Sequence, residues 1–205
     1  MSFEVPDWNE IYNACLELAD QIKRSGFNPD VIVGVARGGW IPARILSDLL
    51  GNTYVASMKV EFYKGVAETA NKPVVSQQVS APVKGKRVLV VDDVADTGES
   101  LATVRQNLVN QGASEVKIAT IHYKPKSILR PEFYAKETSA WIVYPHERYE
   151  FVNNRVAKFK AEGKSISEAK EELARIGLPR HVVERFVNQC WCSRDASSTD
   201  GSKRS

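Results

Sequence analysis

The chain has 205 residues, of which 43% are hydrophobic and 26% charged, and its formal net charge is +3. This length and balance are typical of one substantial globular domain with room for a small appendage. The charge suits an anionic small molecule and is too weak to indicate nucleic acid, and no apolar run reaches the roughly 20 residues of a membrane span. The first residues lack the features of a signal peptide and the number of cysteines is odd, so we expect reduced thiols and a cytoplasmic location.

Apolar runs bounded by turn residues predict strands, and amphipathic stretches with a period of 3.6 residues predict helices. In chain order, these patterns predict a helix between Asp7 and Gly26, a strand at Val31–Val35, a helix at Ile41–Leu50, a strand at Tyr54–Met58, a hairpin-like excursion at Val60–Val79, a strand at Val88–Val91, a helix at Gly98–Gln111, and strands at Val116–Ile121 and Ala140–Val143. Strands that alternate with helices at this spacing predict an α/β fold with a mainly parallel sheet covered on both faces.

The character of the chain changes after about Glu150. Three short helices are predicted there, at Asn154–Ala161, Ser165–Ile176 and Pro179–Cys190. Ser165 and Glu168 have the spacing of a capping box, which marks the start of the second helix. We therefore predict one domain over residues 1–150, a helical extension over 151–193 and a disordered tail over 194–205.

Residues 88–100 combine four aliphatic residues, two aspartates and a Thr-Gly-Glu-Ser turn that leads into a helix. A buried strand of this kind presents Asp92 and Asp93 at its carboxyl end, where open α/β sheets bind ligands. The turn lies at a helix N-terminus, which favours a phosphate, and Gly98 allows close approach of the backbone. A ribose 5-phosphate supplies a diol and a phosphate at a matching separation. Two aspartates alone could equally cap the turn.

This run resembles the phosphoribosyl-pyrophosphate signature of type I phosphoribosyltransferases. The resemblance implies a parallel sheet flanked by helices, with a small hood. It implies that Asp92 and Asp93 bind the ribose hydroxyls, directly or through Mg²⁺. It also implies that the following loop wraps the 5-phosphate through Val94, Ala95, Asp96, Thr97, Gly98, Glu99 and Ser100.

Asp96 and a second loop narrow the resemblance to the 6-oxopurine enzymes. In that subfamily an aspartate at the position of Asp96 exchanges a proton with N7 of the purine; a simple helix cap is the alternative. The segment Val35–Pro42 is similar to the pyrophosphate-binding loop of bacterial xanthine-guanine enzymes. The resemblance gives Ala36, Arg37, Gly38 and Gly39 contacts with pyrophosphate and implies that the peptide bond before Arg37 is often cis.

Two further stretches agree with this subfamily. Lys124 matches the lysine that donates to the purine 6-oxo group, and an ammonium has only donors, which suits a carbonyl and not the amine of adenine. Trp141 would stack on the purine and the backbone near Ile142 would contact the ring edge, although Trp141 could also be a packing residue. Glu147 occupies an acidic position that can assist a second Mg²⁺. The sequence departs from bacterial relatives here because His146 replaces a common aromatic residue.

The resemblance implies a purine salvage enzyme that uses phosphoribosyl pyrophosphate, Mg²⁺ and a purine base, with Arg37, Asp96 and Lys124 as catalytic residues. We expect a homodimer or homotetramer, no membrane and no nucleic-acid partner. Residues 63–78, with Tyr63, Lys64 and Lys72, would form a closing lid. Two alternatives stay open. One is a regulator that senses phosphoribosyl pyrophosphate and binds nucleic acid through basic residues of its helical extension, Arg175, Arg180, His181 and Arg185. The other is an enzyme for another base such as adenine.

Overall fold

The structure, a computed structural model, describes residues 2–64 and 71–192, so the tip of the predicted excursion and the predicted disordered tail lie outside the described residues. In chain order the elements are β1 (Phe3–Glu4), α1 (Trp8–Arg24), β2 (Val31–Ala36), α2 (Trp40–Leu49), β3 (Val55–Lys64), β4 (Asn71–Gln77), β5 (Arg87–Ala95), α3 (Glu99–Asn110), β6 (Glu115–Tyr123), β7 (Phe133–Glu137), β8 (Trp141–Ile142), α4 (Arg148–Ala161), α5 (Ile166–Arg175) and α6 (Arg180–Cys192).

A six-stranded sheet has the order β4-β3-β2-β5-β6-β7. Every neighbouring pair is parallel except β3 and β4, which form an antiparallel hairpin. The predicted type of sheet and the predicted hairpin are thus confirmed. The central position of β5 in the sheet explains the unbroken aliphatic run Val88–Val91, whose four side chains are fully buried. A central parallel strand needs apolar side chains on both faces.

Side chains alternate between the two faces of the sheet. On one face, Val31, Val33, Val88 and Val90 pack with Leu101, Val104 and Leu108 of α3. The opposite face is covered by α1 and α2, which contact β2, β5, β6 and β7. Strands β2, β5 and β6 therefore lie in the interior of the sheet, and their carboxyl ends fix the positions of the loops that follow.

The structure differs from the predicted elements in a few places. Neither β1 nor β7 was predicted, because β1 has only two residues and β7 is a short, partly exposed edge strand of mixed polarity. The first helix after Glu150 was predicted to begin at Asn154, and it begins at Arg148. Its buried stripe of Val152, Val156 and Phe159 extends the helix toward its N-terminus.

The described part of the chain packs as two compact units, one within residues 8–139 and the other formed by residues 2–7 together with residues 140–192. In the second unit, β1 pairs with β8 in parallel. Val143 is buried there in one cluster with residues of α4, α5 and α6. Residues 140–150 therefore pack with the helices that follow them, whereas the predicted domain boundary at residue 150 stays a prediction.

Two further properties concern the whole described chain. None of its helices combines the length and the apolar character needed to cross a bilayer. Cys15, Cys190 and Cys192 are free thiols. Burial raises the pKa of the Cys15 thiol to about 12, so this thiol stays protonated and unreactive at neutral pH.

Candidate active site

Three of the sequence motifs follow adjacent parallel strands of the six-stranded sheet. Strand β2 ends at Ala36, β5 at Ala95 and β6 at Tyr123, and β5 lies between the other two. Because parallel strands share a carboxyl edge, the loops that carry Arg37, Asp96 and Lys124 lie side by side. The fold thus brings together the predicted site residues that lie in the first unit.

The loop after β2 packs tightly against β5. The Ala36–Arg37 peptide bond is cis, as the resemblance implies. A methyl group on Gly38 would lie 2.1 Å from Oδ2 of Asp93, and one on Gly39 would lie 2.3 Å from the carbonyl oxygen of Val91. Both glycines are therefore required for close packing, in addition to any contact with a ligand.

Asp92 and Asp93 form an acidic pair near the carboxyl end of β5, in which Asp93 is buried and Asp92 is half-buried. The backbone N–H of Asp93 donates to Oδ1 of Asp92 at 2.9 Å, and Asp93 is only 9% exposed. Burial, together with the adjacent Asp93 carboxylate, raises the pKa of Asp92 well above its usual range. Such a pair is stabilised by a cation or by hydroxyl donors, which a magnesium ion or a ribose diol would provide.

The described residues contain no group of three or more His, Cys, Asp and Glu side chains able to hold a metal ion by themselves. This pattern still fits Mg²⁺, which commonly takes only one or two protein carboxylates and completes its shell with water and substrate phosphates. The acidic pair therefore suits a metal that is bound together with a phosphorylated substrate.

The loop after β5, residues 96–98, leads into the N-terminus of α3 and is called the phosphate loop after the role that the sequence predicts for it. Gly98 has a φ of 81° and is the N-cap of α3; having no side chain, it cannot cap the first N–H groups of the helix, and such groups favour an anion. A pocket of about 230 Å³ adjoins this loop, lined by residues of the 92–101 run and by Phe62 of β3. Thr97 Oγ1 accepts a hydrogen bond from the backbone N–H of Glu99 at 3.4 Å.

Asp96 forms ion pairs with two lysines of the loop after β6. Its Oδ1 lies 3.2 Å from Nζ of Lys124 and 2.8 Å from Nζ of Lys126. Partial burial raises the pKa of Asp96, but the ammonium groups of Lys126 and Lys124 outweigh it, so the pKa lies below the ordinary value. Asp96 is therefore a carboxylate at neutral pH, able to accept a proton.

The loop after β6 is joined to the phosphate loop by the main chain. The N–H of Lys124 donates to the carbonyl of Ala95 at 3.0 Å, and the N–H of Ile128 donates to the carbonyl of Thr97 at 2.8 Å. A methyl group on Gly98 would lie 2.3 Å from Oγ of Ser127. The conformation of Gly98 thus serves the contact between these two loops, a role that the sequence did not reveal.

The second unit carries the remaining predicted residues, Trp141, Ile142 and Glu147. Trp141 and Ile142 form β8; Trp141 is 48% exposed and Ile142 is buried. The Glu147 carboxylate accepts a hydrogen bond from the backbone N–H of Tyr144 at 3.3 Å. Trp141 and Glu147 line a groove of about 620 Å³ with Phe3 and residues of α4. Trp141 is therefore not a buried packing residue.

Two residues of the site were not identified from the sequence. Lys126 contacts Asp96 and Phe62 lines the pocket beside the phosphate loop. The Lys-Pro-Lys pattern around Lys124 was the available signal for Lys126, because a tight turn brings alternate residues close together. Phe62 carried no local signal, since its place depends on the long β3 strand.

Comparisons with known proteins agree with this geometry. Residues 4–150 match the model of the phosphoribosyl transferase domain. The chain is 32% identical over 122 residues to a hypoxanthine-guanine phosphoribosyltransferase of Streptococcus pneumoniae, covering 58% of this chain and 67% of that protein. It is 28% identical over 140 residues to a xanthine-guanine phosphoribosyltransferase of Gluconobacter oxydans, covering 67% of this chain and 80% of that protein.

The structural comparison gives the same family. A crystal structure of a purine phosphoribosyltransferase from Pyrococcus horikoshii superposes with a TM-score of 0.65 and 39% identity, covering 71% of this chain and 94% of that one. The expected type I fold is thereby confirmed. Since the family match spans well over half of the sequence, this chain belongs to the phosphoribosyltransferase family.

Proposed function

We propose that this protein transfers the 5-phosphoribosyl group of phosphoribosyl pyrophosphate to N9 of a 6-oxopurine, with release of pyrophosphate. The observation that carries the proposal is the ion pair between Asp96 and Lys124, 3.2 Å apart, beside the pocket of the phosphate loop. The relatives named for hypoxanthine, guanine and xanthine support a role in purine salvage.

The two side chains complement one edge of a 6-oxopurine. The carbonyl oxygen at C6 and the N7–H group are neighbours on that edge, so they match an adjacent ammonium and carboxylate. Lys124 donates to the 6-oxo group, and Asp96 accepts the N7 proton as the bond from N9 to C1 of the ribose forms. The bond from C1 to the pyrophosphate oxygen breaks, and the electron pair leaves with pyrophosphate.

The acidic pair and the loop after β2 serve the other substrate. Asp92 and Asp93 hold the ribose hydroxyls, directly or through Mg²⁺, while the N-terminus of α3 binds the 5-phosphate. Arg37 lies in the loop that adjoins Asp93 and neutralises charge on pyrophosphate. Bound Mg²⁺ would offset the negative charge that develops on the leaving group.

The other roles that the resemblance implies stay predictions. They are purine stacking by Trp141, ring-edge contact at Ile142, assistance to a second Mg²⁺ by Glu147, closure of residues 63–78 as a lid, assembly as a homodimer or homotetramer, and a cytoplasmic location. In the described part of the predicted lid, Asn71–Gln77 is a strand paired with β3.

A base panel tests the proposal. Purified protein with labelled phosphoribosyl pyrophosphate and Mg²⁺ is incubated separately with hypoxanthine, guanine, xanthine, adenine and orotate. We expect nucleotide formation with at least one of the first three bases and little with adenine, because an ammonium donor opposes the amine of adenine. Turnover of none would favour the sensing regulator, and turnover of adenine alone would contradict the role of Lys124.

A further inference from the structure

One carboxylate oxygen of Asp96 is shared by two ammonium groups, although a single lysine would suffice to pair its charge. Lys126 Nζ lies 2.8 Å from Oδ1, closer than Lys124 Nζ at 3.2 Å. The two lysines differ in environment, because the side chain of Lys124 is 9% exposed and that of Lys126 is 62% exposed. Two like charges on one oxygen repel each other, so the arrangement calls for an explanation.

The position of Lys126 is set by the backbone. The N–H of Ser127 donates to the carbonyl of Lys124 at 2.9 Å and closes a turn that has Pro125 as its second residue and Lys126 as its third. The hydrogen bonds of Lys124 to Ala95 and of Ile128 to Thr97 secure this turn on both sides. The turn therefore fixes the backbone of Lys126 close to Asp96, and the lysine side chain extends from there to the carboxylate.

The proposed reaction makes competing demands on Lys124. To recognise the purine it must direct its ammonium group toward the 6-oxo group, and Asp96 must remain an oriented carboxylate for the N7 proton. If Lys124 were the sole partner of Asp96, its departure would leave the carboxylate, whose side chain is 42% exposed, without an ion pair to hold its orientation.

We infer that Lys126 is a positioning residue that keeps the ion pair with Asp96 while Lys124 turns to the 6-oxo group of the purine. This inference rests on the proposed function. The two lysines then have different roles. The buried Lys124 donates to the 6-oxo group of the purine, and the exposed Lys126 keeps the Asp96 carboxylate in position. Lys126 itself need not touch the purine.

The charges around Asp96 give the inference a pH signature. Lys124 and Lys126 approach from the loop after β6, and Asp92 of β5 lines the same pocket. Removing the positive charge of Lys126 raises the pKa of Asp96, so the proton-accepting form is lost at a higher pH than in the wild type. The loss of kcat/KM must therefore be larger at acidic pH than at alkaline pH.

The experiment compares Lys126→Gln, Lys126→Arg and a control, Lys84→Gln, which removes an exposed lysine from the loop before β5, at the opposite edge of the sheet. The kcat/KM for hypoxanthine is measured from pH 4.0 to 8.5, together with thermal unfolding. The range extends to acidic pH because the pKa of Asp96 lies below the ordinary value of an aspartate. We expect Lys126→Gln to lower kcat/KM about two- to fivefold at neutral pH, and further at acidic pH, with an unchanged melting temperature. The Lys126→Arg variant should retain the wild-type profile, as should the control.

Three results would overturn the inference. An unchanged pH profile in Lys126→Gln would show that Lys124 alone maintains Asp96. An equal loss at every pH, with a lowered melting temperature, would show a purely structural role. Wild-type protein without turnover of any 6-oxopurine would contradict the proposed function and this inference with it, whereas wild-type turnover with an unaffected variant contradicts the inference alone.

Discussion

Gly38 and Asp93 are packed so closely that a methyl group on the glycine would lie 2.1 Å from Oδ2 and 2.5 Å from Cγ of the aspartate. The loop proposed to bind pyrophosphate thus rests directly on a carboxylate proposed to bind ribose. Under the proposed function, the two halves of one substrate would be contacted by residues that also pack against each other. Substitution at Gly38 should therefore affect ligand binding through Asp93.

We expect Gly38→Ala to lower the affinity for phosphoribosyl pyrophosphate at least about tenfold, which corresponds to roughly 1.4 kcal/mol, because the new methyl group must displace the Asp93 carboxylate. Titration calorimetry in the presence of Mg²⁺ measures this affinity. Wild-type affinity in the variant would show that Asp93 can move without consequence.

Gly39→Ala is the matched comparison for Gly38. Its methyl group would meet backbone atoms, the carbonyl oxygen of Val91 at 2.3 Å and the amide nitrogen of Val35 at 2.7 Å. Backbone atoms of two paired strands cannot rotate away, so the main loss should be in the free energy of unfolding, roughly 1–3 kcal/mol by urea denaturation. Equal stability losses in the two variants would contradict this distinction.

Gly98→Ala tests the contact between the phosphate loop and the loop after β6. The alanine would have to adopt a φ of 81°, and its methyl group would lie 2.3 Å from Oγ of Ser127 and 2.8 Å from the amide nitrogen of Leu129. We expect the variant to lose turnover and roughly 2–5 kcal/mol of unfolding free energy, because the cost of the positive φ and the cost of the crowded methyl group add.

Gly85→Ala is the control that separates the cost of a positive φ from the cost of the contact with the loop after β6. Gly85 has a similar φ of 72°, but a methyl group there would meet nothing within 4 Å. Only the backbone cost of about 1–2 kcal/mol should remain in this control, and turnover should be preserved. If both variants lost turnover equally, contact between the loops would not be the reason.

Phe159→Ala tests the core of the second unit. The ring is 1% exposed and packs in the cluster that contains Val143 and Val156. We expect a loss of roughly 3–5 kcal/mol in unfolding free energy, measured by urea denaturation. Lys158→Ala, the neighbouring exposed position, should change it by no more than about 0.5 kcal/mol. A loss below about 1 kcal/mol in Phe159→Ala would mean that this cluster contributes little.

The strands and helices that a local pattern specifies were predictable from the sequence. Val88–Val91 could only be a buried strand, and Ser165 with Glu168 forms the predicted capping box in the structure. The strand β1 was not predictable, because its two residues pair with Trp141 and Ile142, far along the chain. Long-range pairing leaves no local periodicity in so short a strand.

In the candidate site, too, the features set by local sequence were predictable and those set by long-range contacts were not. Asp92, Asp93 and Asp96 occur in one continuous motif, so their proximity could be predicted. The position of Lys126 depends on a turn and on two main-chain hydrogen bonds between separate loops, which residue types alone do not specify. The packing of Gly98 against Ser127 and Leu129 likewise appears only in three dimensions.

The central claim is that Asp96 accepts the N7 proton while Lys124 reads the 6-oxo group of the purine. The most direct measurement is the single-turnover rate of nucleotide formation from hypoxanthine in wild-type protein and in Asp96→Asn, with the affinity for phosphoribosyl pyrophosphate measured in parallel. We predict that the rate falls about 10²- to 10⁴-fold while that affinity is unchanged. An undiminished rate in Asp96→Asn would contradict the account.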